Sequence, residues 1–300
     1  MEQKARQGTG KCRQLWLLAG FAVLLSPQWA AADENYFGYS YGSETTPKGS
    51  WEFYQWITWR HDKGEGEYDA FDFRTELEYG VTERLQAALY LNTAYHHTQD
   101  TGPLDDSGLR EIPNQDDFGF QGVSMEFKYR LLSPYKDPIG LALYIEPSYS
   151  RINKISGITG TEYEIEPKII LQKNFLEDQL ITVLNFTGEF EWERFPSDEP
   201  TERELKLELS GGAAYRVATN WHIGLEARVQ AVYPNMNLGN REAWAFFAGP
   251  ALHYNSKKWW FTLTLMPQIS GSPRDPALSS RLHLEEFERT EVRLKLGYYF

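Results

Sequence analysis

The residues of this chain with chemistry to offer are charged side chains spaced two apart. Arg74 and Glu76, Glu126 and Lys128, Glu164 and Glu166, Glu226 and Arg228, and Arg293 and Lys295 follow this spacing, and Glu189 and Glu208 sit in the same kind of alternating run. A spacing of two puts both members of a pair on one face of a β-strand. Gathered around an enclosed space, such faces would line a polar path. Acids outnumber bases on these faces, so the path would favour cations or neutral polar solutes over anions. The competing expectation is that mixed charges knit across a narrow interior and leave it shut.

Other chemistries find less support. His61, His96, His97 and His283 fall near Asp62, Glu65, Asp69, Asp100, Asp105, Asp106, Asp116 and Asp117, a mixture that could bind a transition metal. His96 and His97 are adjacent, so on a strand they point to opposite faces and cannot chelate together; solvated acidic loops are the expectation, with no metal and no cofactor. Met125, Met236 and Met266 are too few and too scattered to suggest copper handling. An enzyme acting on lipids would need a nucleophile or metal beside a general base. His222 and His253 remain for that role, with no serine motif near either in sequence, and no catalytic residue is assigned.

The elements that must position these side chains are strands. Aromatic residues make up 15% of the chain and crowd into short alternating runs, with no long segment of helical period. Twelve strands are expected, at about 51–61, 70–79, 85–96, 118–131, 139–151, 161–174, 180–194, 204–217, 221–233, 244–254, 259–270 and 291–300. In the last, Val292, Leu294, Leu296 and Tyr298 alternate with Glu291, Arg293, Lys295 and Gly297. Short connections such as 80–84 and 218–220 alternate with longer ones such as 98–117 and 271–289. An even strand count with tight turns at one rim and long loops at the other predicts a single closed antiparallel transmembrane β-barrel, short turns on the periplasmic side. Trp51, Tyr135, Trp221, Trp259, Trp260 and Phe300 fall at one rim, and Trp59, Tyr95, Trp192, Phe195, Tyr233 and Trp244 at the other, as two aromatic girdles would. Pro147 and Pro167 lie inside strands and predict a bulge or kink there, and Pro250 and Pro267 raise the same question.

The N-terminus supplies a destination. Lys4, Arg6, Lys11 and Arg13 precede the apolar run Leu15–Leu25, and Ala30, Ala31 and Ala32 follow it. A basic start, a short greasy core and small residues predict a signal peptide over 1–32, cut between Ala32 and Asp33. An N-terminal periplasmic segment, 33–48, and the barrel, 49–300, would follow. Cys12 precedes the apolar core, so lipidation is not expected and the mature chain has no cysteine. It would carry 26 basic and 41 acidic side chains, a net charge of −15. That charge repels phosphate and argues against nucleic acid as a partner.

Two segments carry a resemblance. Thr45-x-Pro47-Lys48-Gly49-x-Trp51-Glu52 leads into the first strand, and Tyr79-Gly80-Val81-Thr82-Glu83-Arg84-Leu85 forms the first turn. Both are similar to Gram-negative outer-membrane β-barrel proteins of an uncharacterised transporter or porin-like family. The last strand also resembles the closing strand of such barrels, which ends in Phe, here Phe300. The resemblance implies the cell outer membrane, and as partners its lipid and lipopolysaccharide, the assembly machinery reading the strand that ends at Phe300, and small solutes. It supplies no catalytic residues. The function expected is a porin-like channel for small polar or cationic solutes; the alternatives are a lipid-directed outer-membrane enzyme and an occluded structural or surface-binding barrel.

Overall fold

The computed structural model describes residues 35–102, 110, 112–273 and 279–300. The leader expected over 1–32 lies outside the described residues. Twelve strands follow: β1 Trp51–His61, β2 Glu67–Gly80, β3 Leu85–Gln99, β4 Gln115–Leu132, β5 Gly140–Ile152, β6 Thr159–Phe175, β7 Leu180–Arg194, β8 Glu202–Ala218, β9 Trp221–Pro234, β10 Ala243–Asn255, β11 Trp259–Gly271 and β12 Thr290–Tyr299. Each pairs antiparallel with its sequence neighbours, and β12 closes on β1 through a register running from Glu52↔Tyr299 to His61↔Thr290. Closure removes both sheet edges.

Period-two alternation decides which side chains look where. Outside the barrel, Leu89, Val123, Met125, Phe127, Leu143, Ile145, Ile169, Phe186, Leu225 and Leu263 are exposed. Such a continuous apolar exterior has no counterpart on a water-soluble barrel and matches a lipid-facing band. Inside, Glu52, Glu76, Glu126, Lys128, Glu226 and Lys295 are buried.

Two details depart from the alternation-based expectations. Pro147 and Pro167 do not produce bulges. The β4–β5 register is the same at Ser124↔Ser148 and Phe127↔Ile145, and the β6–β7 register is the same at Ile165↔Phe190 and Lys168↔Thr187, with unpaired residues between. Each proline removes a ladder donor, and the neighbouring pairs hold the register across the gap. The register shifts lie elsewhere, at Asn92/Thr93, Arg130/Leu132, Ser150/Ile152, Arg216/Ala218 and at Phe246/Phe247, three residues before Pro250 and opposite Gln268, which follows Pro267. Trp260 is not a girdle residue. It follows Trp259, so the two rings take opposite faces; Trp259 is exposed, while Trp260 is fully buried inside and donates to Glu52 at 2.6 Å. A Cβ on Gly297 would lie 2.2 Å from the Trp260 indole, so only glycine makes room for that ring.

Candidate functional site

The barrel interior divides into a paired sector, an acidic wall and a filled centre. In the paired sector Arg74 bonds Glu146 at 2.5 Å, and its guanidinium covers the Tyr90 ring at 4.2 Å. Glu76 accepts from the Trp56 indole at 3.0 Å. Glu126 accepts from Gln86 at 2.9 Å and from the Tyr90 hydroxyl at 2.5 Å, and Lys128 on the same strand is buried. Glu76 and Glu126 are held by neighbours on adjacent strands, and the Arg74–Glu146 pair reaches across the lumen from β2 to β5, so this sector is closed by its own bonds.

The acidic wall is built by β6, β7 and β8. The register puts Glu162 opposite Glu193, Glu164 opposite Glu191, and Glu191 in turn opposite Glu204; on the β5 side Glu146 faces Glu166. Like charges directly opposed on one sheet face repel. Glu162, Glu164, Glu166, Glu189, Glu193 and Glu204 keep partial exposure, so water reaches this wall. Among the described residues, the cations that ion-pair with it are Lys168, 3.1 Å from Glu166, and Lys206, 3.1 Å from Glu204 and 3.2 Å from Glu191. Glu208, further along, is bonded by Gln230 at 2.9 Å and lies 3.5 Å from Arg228.

The centre is filled by the chain's own N-terminal segment. Asn35–Thr46 is buried, and its contacts reach opposite walls of the closed barrel. It rises from the short-turn rim and returns there as an arch. At one foot, Thr46 N–H donates to Gln86 near the start of β3; at the other, the Thr262 hydroxyl near the start of β11 donates to Asn35 C=O. At the crown, the Glu226 carboxylate accepts three successive backbone N–H groups, from Gly38 at 3.0 Å, Tyr39 at 2.9 Å and Ser40 at 2.5 Å. The Tyr39 ring lies between the Arg228 and Arg293 guanidinium groups, at 4.0 and 3.9 Å, and its hydroxyl donates to Glu291 at 2.8 Å. Tyr41 packs among Trp56, Tyr144 and Lys168, and Lys295 sits 3.9 Å over the Trp56 ring. Phe37 fills a notch beside Ile181, Val183, Ala214 and Ala251. A Cβ on Gly212 would lie 2.4 Å from that ring, so the notch depends on glycine.

The lead-in expected as a periplasmic segment over 33–48 is therefore found inside the barrel from Asn35 to Thr46. A signal for this was present: Phe37, Tyr39 and Tyr41 alternate with Gly38 and Ser40, period-two patterning in a stretch that belongs to no strand. Of the twelve charged residues singled out by spacing, Glu226, Arg228, Arg293 and Lys295 hold the arch. Arg74, Glu76, Glu126 and Lys128 belong to the paired sector, and Glu164, Glu166, Glu189 and Glu208 to the wetter wall.

The long-loop side also folds inward. Leu284 and Phe287, from the connection before β12, are buried, and Phe287 joins Tyr39 and Phe247 in one cluster. Glu288 binds Arg60 at 2.8 Å and lies 3.7 Å from Lys63, while Arg60 also bonds Asp72 at 2.9 Å. Burial alone would raise the Glu288 carboxyl; Lys63 and Arg60 outweigh it and hold the group down at about 2. His96 points inward to Lys154 C=O, while His61 and His97 point outward to Asp69 and to Glu67 and Asp116. No three His, Cys, Asp or Glu side chains among the described residues converge to hold a metal ion.

A closed twelve-stranded antiparallel barrel with an apolar outside and a charged inside defines the class of porin-like outer-membrane barrel folds. The chain belongs to a family of unknown function, DUF6662, whose profile matches residues 29–300. No curated protein matches it in sequence. Among solved structures it is similar to the COG4313 outer membrane channel from Pseudomonas putida F1, with a TM-score of 0.58 and 11% identity over 86% of this chain and 98% of that one. The NanC porin aligns with a TM-score of 0.49 and 11% identity, over 83% of this chain and 98% of that one. At this identity the likeness is one of fold.

Proposed function

We propose that this protein is an outer-membrane channel of porin-like type that passes small polar solutes and prefers cations. The observation that carries the reading is the acidic wall of β6–β8. Directly opposed carboxylates repel one another, and a passing cation relieves that repulsion. The apolar exterior and the N-terminal leader expected from the sequence support placement in the outer membrane, with the short-turn rim facing the periplasm. The chain is read as a channel rather than a lipid-directed enzyme: His222 and His253 are buried against the Tyr36 ring, at 4.8 and 4.9 Å, instead of facing the lipid boundary. With the arch in place the centre of the lumen is filled, so passage depends on its moving.

Planar-bilayer recording in a salt gradient tests the reading. Cation-selective conductance is expected, and changing Glu164 and Glu166 to Lys should weaken or reverse that selectivity. A folded protein with no conductance under any condition that dislodges the arch would leave the occluded barrel as the better reading. An unchanged reversal potential in the Lys variant would remove the wall from the path.

A further inference from the structure

The arch is held in a manner that identifies what the lumen binds. Its backbone, more than its side chains, is gripped by the wall. Glu226 takes three consecutive N–H groups. Asn185 reads both sides of one residue, accepting from Tyr41 N–H at 2.6 Å and donating to Tyr41 C=O at 3.0 Å. Gln172 accepts from Ser43 N–H at 2.7 Å, and Arg293 donates to Gly38 C=O at 3.2 Å. Between these bonds, alternate side chains enter separate pockets: Phe37 over Gly212, Tyr39 between two guanidinium groups, Tyr41 against Lys168. Main-chain bonds for affinity and separate side-chain pockets for specificity are how proteins recognise peptide segments; here the bend at Phe37–Tyr39 lets one carboxylate take three successive N–H groups.

Nothing in the barrel's own ladder depends on this segment. It joins no strand pairing, and the twelve strands close without it. It connects to β1 through Pro47–Ser50 at the short-turn rim, where Lys48 is exposed and Gly49 takes a left-handed φ of 82°. That short link is fixed to the end of β2, where Gly49 N–H donates to Gly80 C=O at 2.8 Å, so the arch has a defined anchor at the rim. A segment bound by the barrel's inward side chains, anchored at the rim and absent from the strand ladder has the properties of a tethered ligand.

We propose that the lumen is a binding site for a polypeptide segment that arches through a bend at Phe37–Tyr39 with aromatic residues at alternate positions, and that Asn35–Thr46 is its tethered occupant, exchangeable with a peptide of the same kind. The site is defined by Glu226, Asn185 and the Arg228–Arg293 pair. The proposal deepens the channel reading by naming a ligand class for the same lumen, and it rests on that reading only where conductance is the readout.

The intact arch competes at the high local concentration of a tether, so the test weakens the arch and leaves the wall whole. A full chain carrying Tyr39→Ala and Tyr41→Ala is refolded in detergent, and its barrel is verified by heat-modifiable gel mobility. It is then titrated with a fluorescent synthetic peptide of residues 35–46. Binding at least tenfold tighter than to the unaltered chain is expected. At least tenfold loss is expected when the peptide has alanine in place of its two tyrosines, or when Glu226→Gln is added to the protein. A folded variant that does not bind the peptide, or binds the alanine peptide equally well, overturns the proposal. Should the double variant not fold, Gly38→Cys with Thr264→Cys replaces it. A Cβ on Gly38 would lie 2.8 Å from the Thr264 Cβ, so a bridge needs a shift of about 1 Å. Peptide binding should be measurably tighter after reduction, when the arch can leave, than after oxidation, when it is locked in place; equal binding in both states overturns the proposal. Conductance recorded on the same samples separates the two ideas. Peptide exchange without conductance refutes the channel and leaves the site, while conductance without peptide exchange refutes the site and leaves the channel.

Discussion

Replacing Glu164 with Gln should make the barrel more stable and less cation-selective at once. Glu164 stands directly opposite Glu191, with Glu162 and Glu166 two residues away on its own strand. Directly opposed strand residues place their Cβ atoms roughly 5 Å apart, which sets the scale of the charge separation. Two unit charges at that distance repel by about 3 kcal/mol at an effective dielectric of 20. The wall is wet and the lumen holds salt, so screening reduces the net term to about 1 kcal/mol. Gln keeps the size and hydrogen-bonding capacity of the side chain while removing its charge, so packing is unchanged. Equilibrium unfolding of the refolded protein in urea should therefore show a gain of about 1 kcal/mol, larger at low salt than at high salt. Bilayer reversal potentials should move toward the non-selective value. If the variant is less stable at low salt, the opposed carboxylates do not repel as the register implies. If it is stabilised with selectivity unchanged, the wall is off the conduction path.

Other outcomes follow from particular contacts. The Glu288 carboxyl sits at about 2 when folded, against a usual value near 4.5, so its contribution is present above pH 4.5 and is lost as pH falls toward 2. That difference corresponds to about 3 kcal/mol, and proteolysis of the 272–289 connection should accelerate between pH 4.5 and 2 in the unaltered protein but not in Glu288→Gln. Gly297→Ala should cost about 1–3 kcal/mol of unfolding free energy by pressing on the buried Trp260 indole; an unaltered urea midpoint would mean that the indole has room. Gly212→Val should expel Phe37 from its notch and expose Asn35–Thr46 to added protease while the strands stay resistant; protection equal to the unaltered protein would show that the notch does not hold the segment.

The barrel was legible because strand alternation is a local property. Val292, Leu294, Leu296 and Tyr298 on one face and Glu291, Arg293 and Lys295 on the other announce an inside and an outside without reference to any distant residue. The same logic identified the charged interior, since inward faces follow from outward ones. It failed where the outcome depends on meeting partners. Trp260 looked like a rim aromatic until its parity was set against that of Trp259. Pro147 suggested a bulge because a lone strand cannot show that its neighbours hold the register. The arch was harder still. Its bonds run from backbone N–H groups to Glu226, Asn185 and Gln172, and every residue has a backbone N–H, so no composition marks such a segment. Only the alternation of Phe37, Tyr39 and Tyr41 hinted at it.

The distribution of charge inside the barrel bears on whether the lumen is merely filled. A lumen that existed only to be packed would be expected to mix its signs, as β2–β5 do with Arg74 on Glu146 and as the Arg60, Asp72 and Glu288 group does. Around the arch the signs are also mixed, with Glu226 and Glu291 beside Arg228 and Arg293. The β6–β8 wall departs from that balance, with Lys168 and Lys206 set against a larger number of glutamates that keep partial exposure. Opposed glutamates there cost stability that a Glu-to-Gln exchange would recover, and local rules are commonly violated at functional sites. A cation entering from the long-loop side would meet this wall before the arch, so the wall would concentrate the solute and the arch would decide whether it passes. On the proposed reading, selection and closure would reside in different residues. A wall variant should alter which ions cross without altering peptide binding, and an arch variant should alter how often the path is open without altering which ions it prefers. Coupled changes in both would mean that the two regions form a single site.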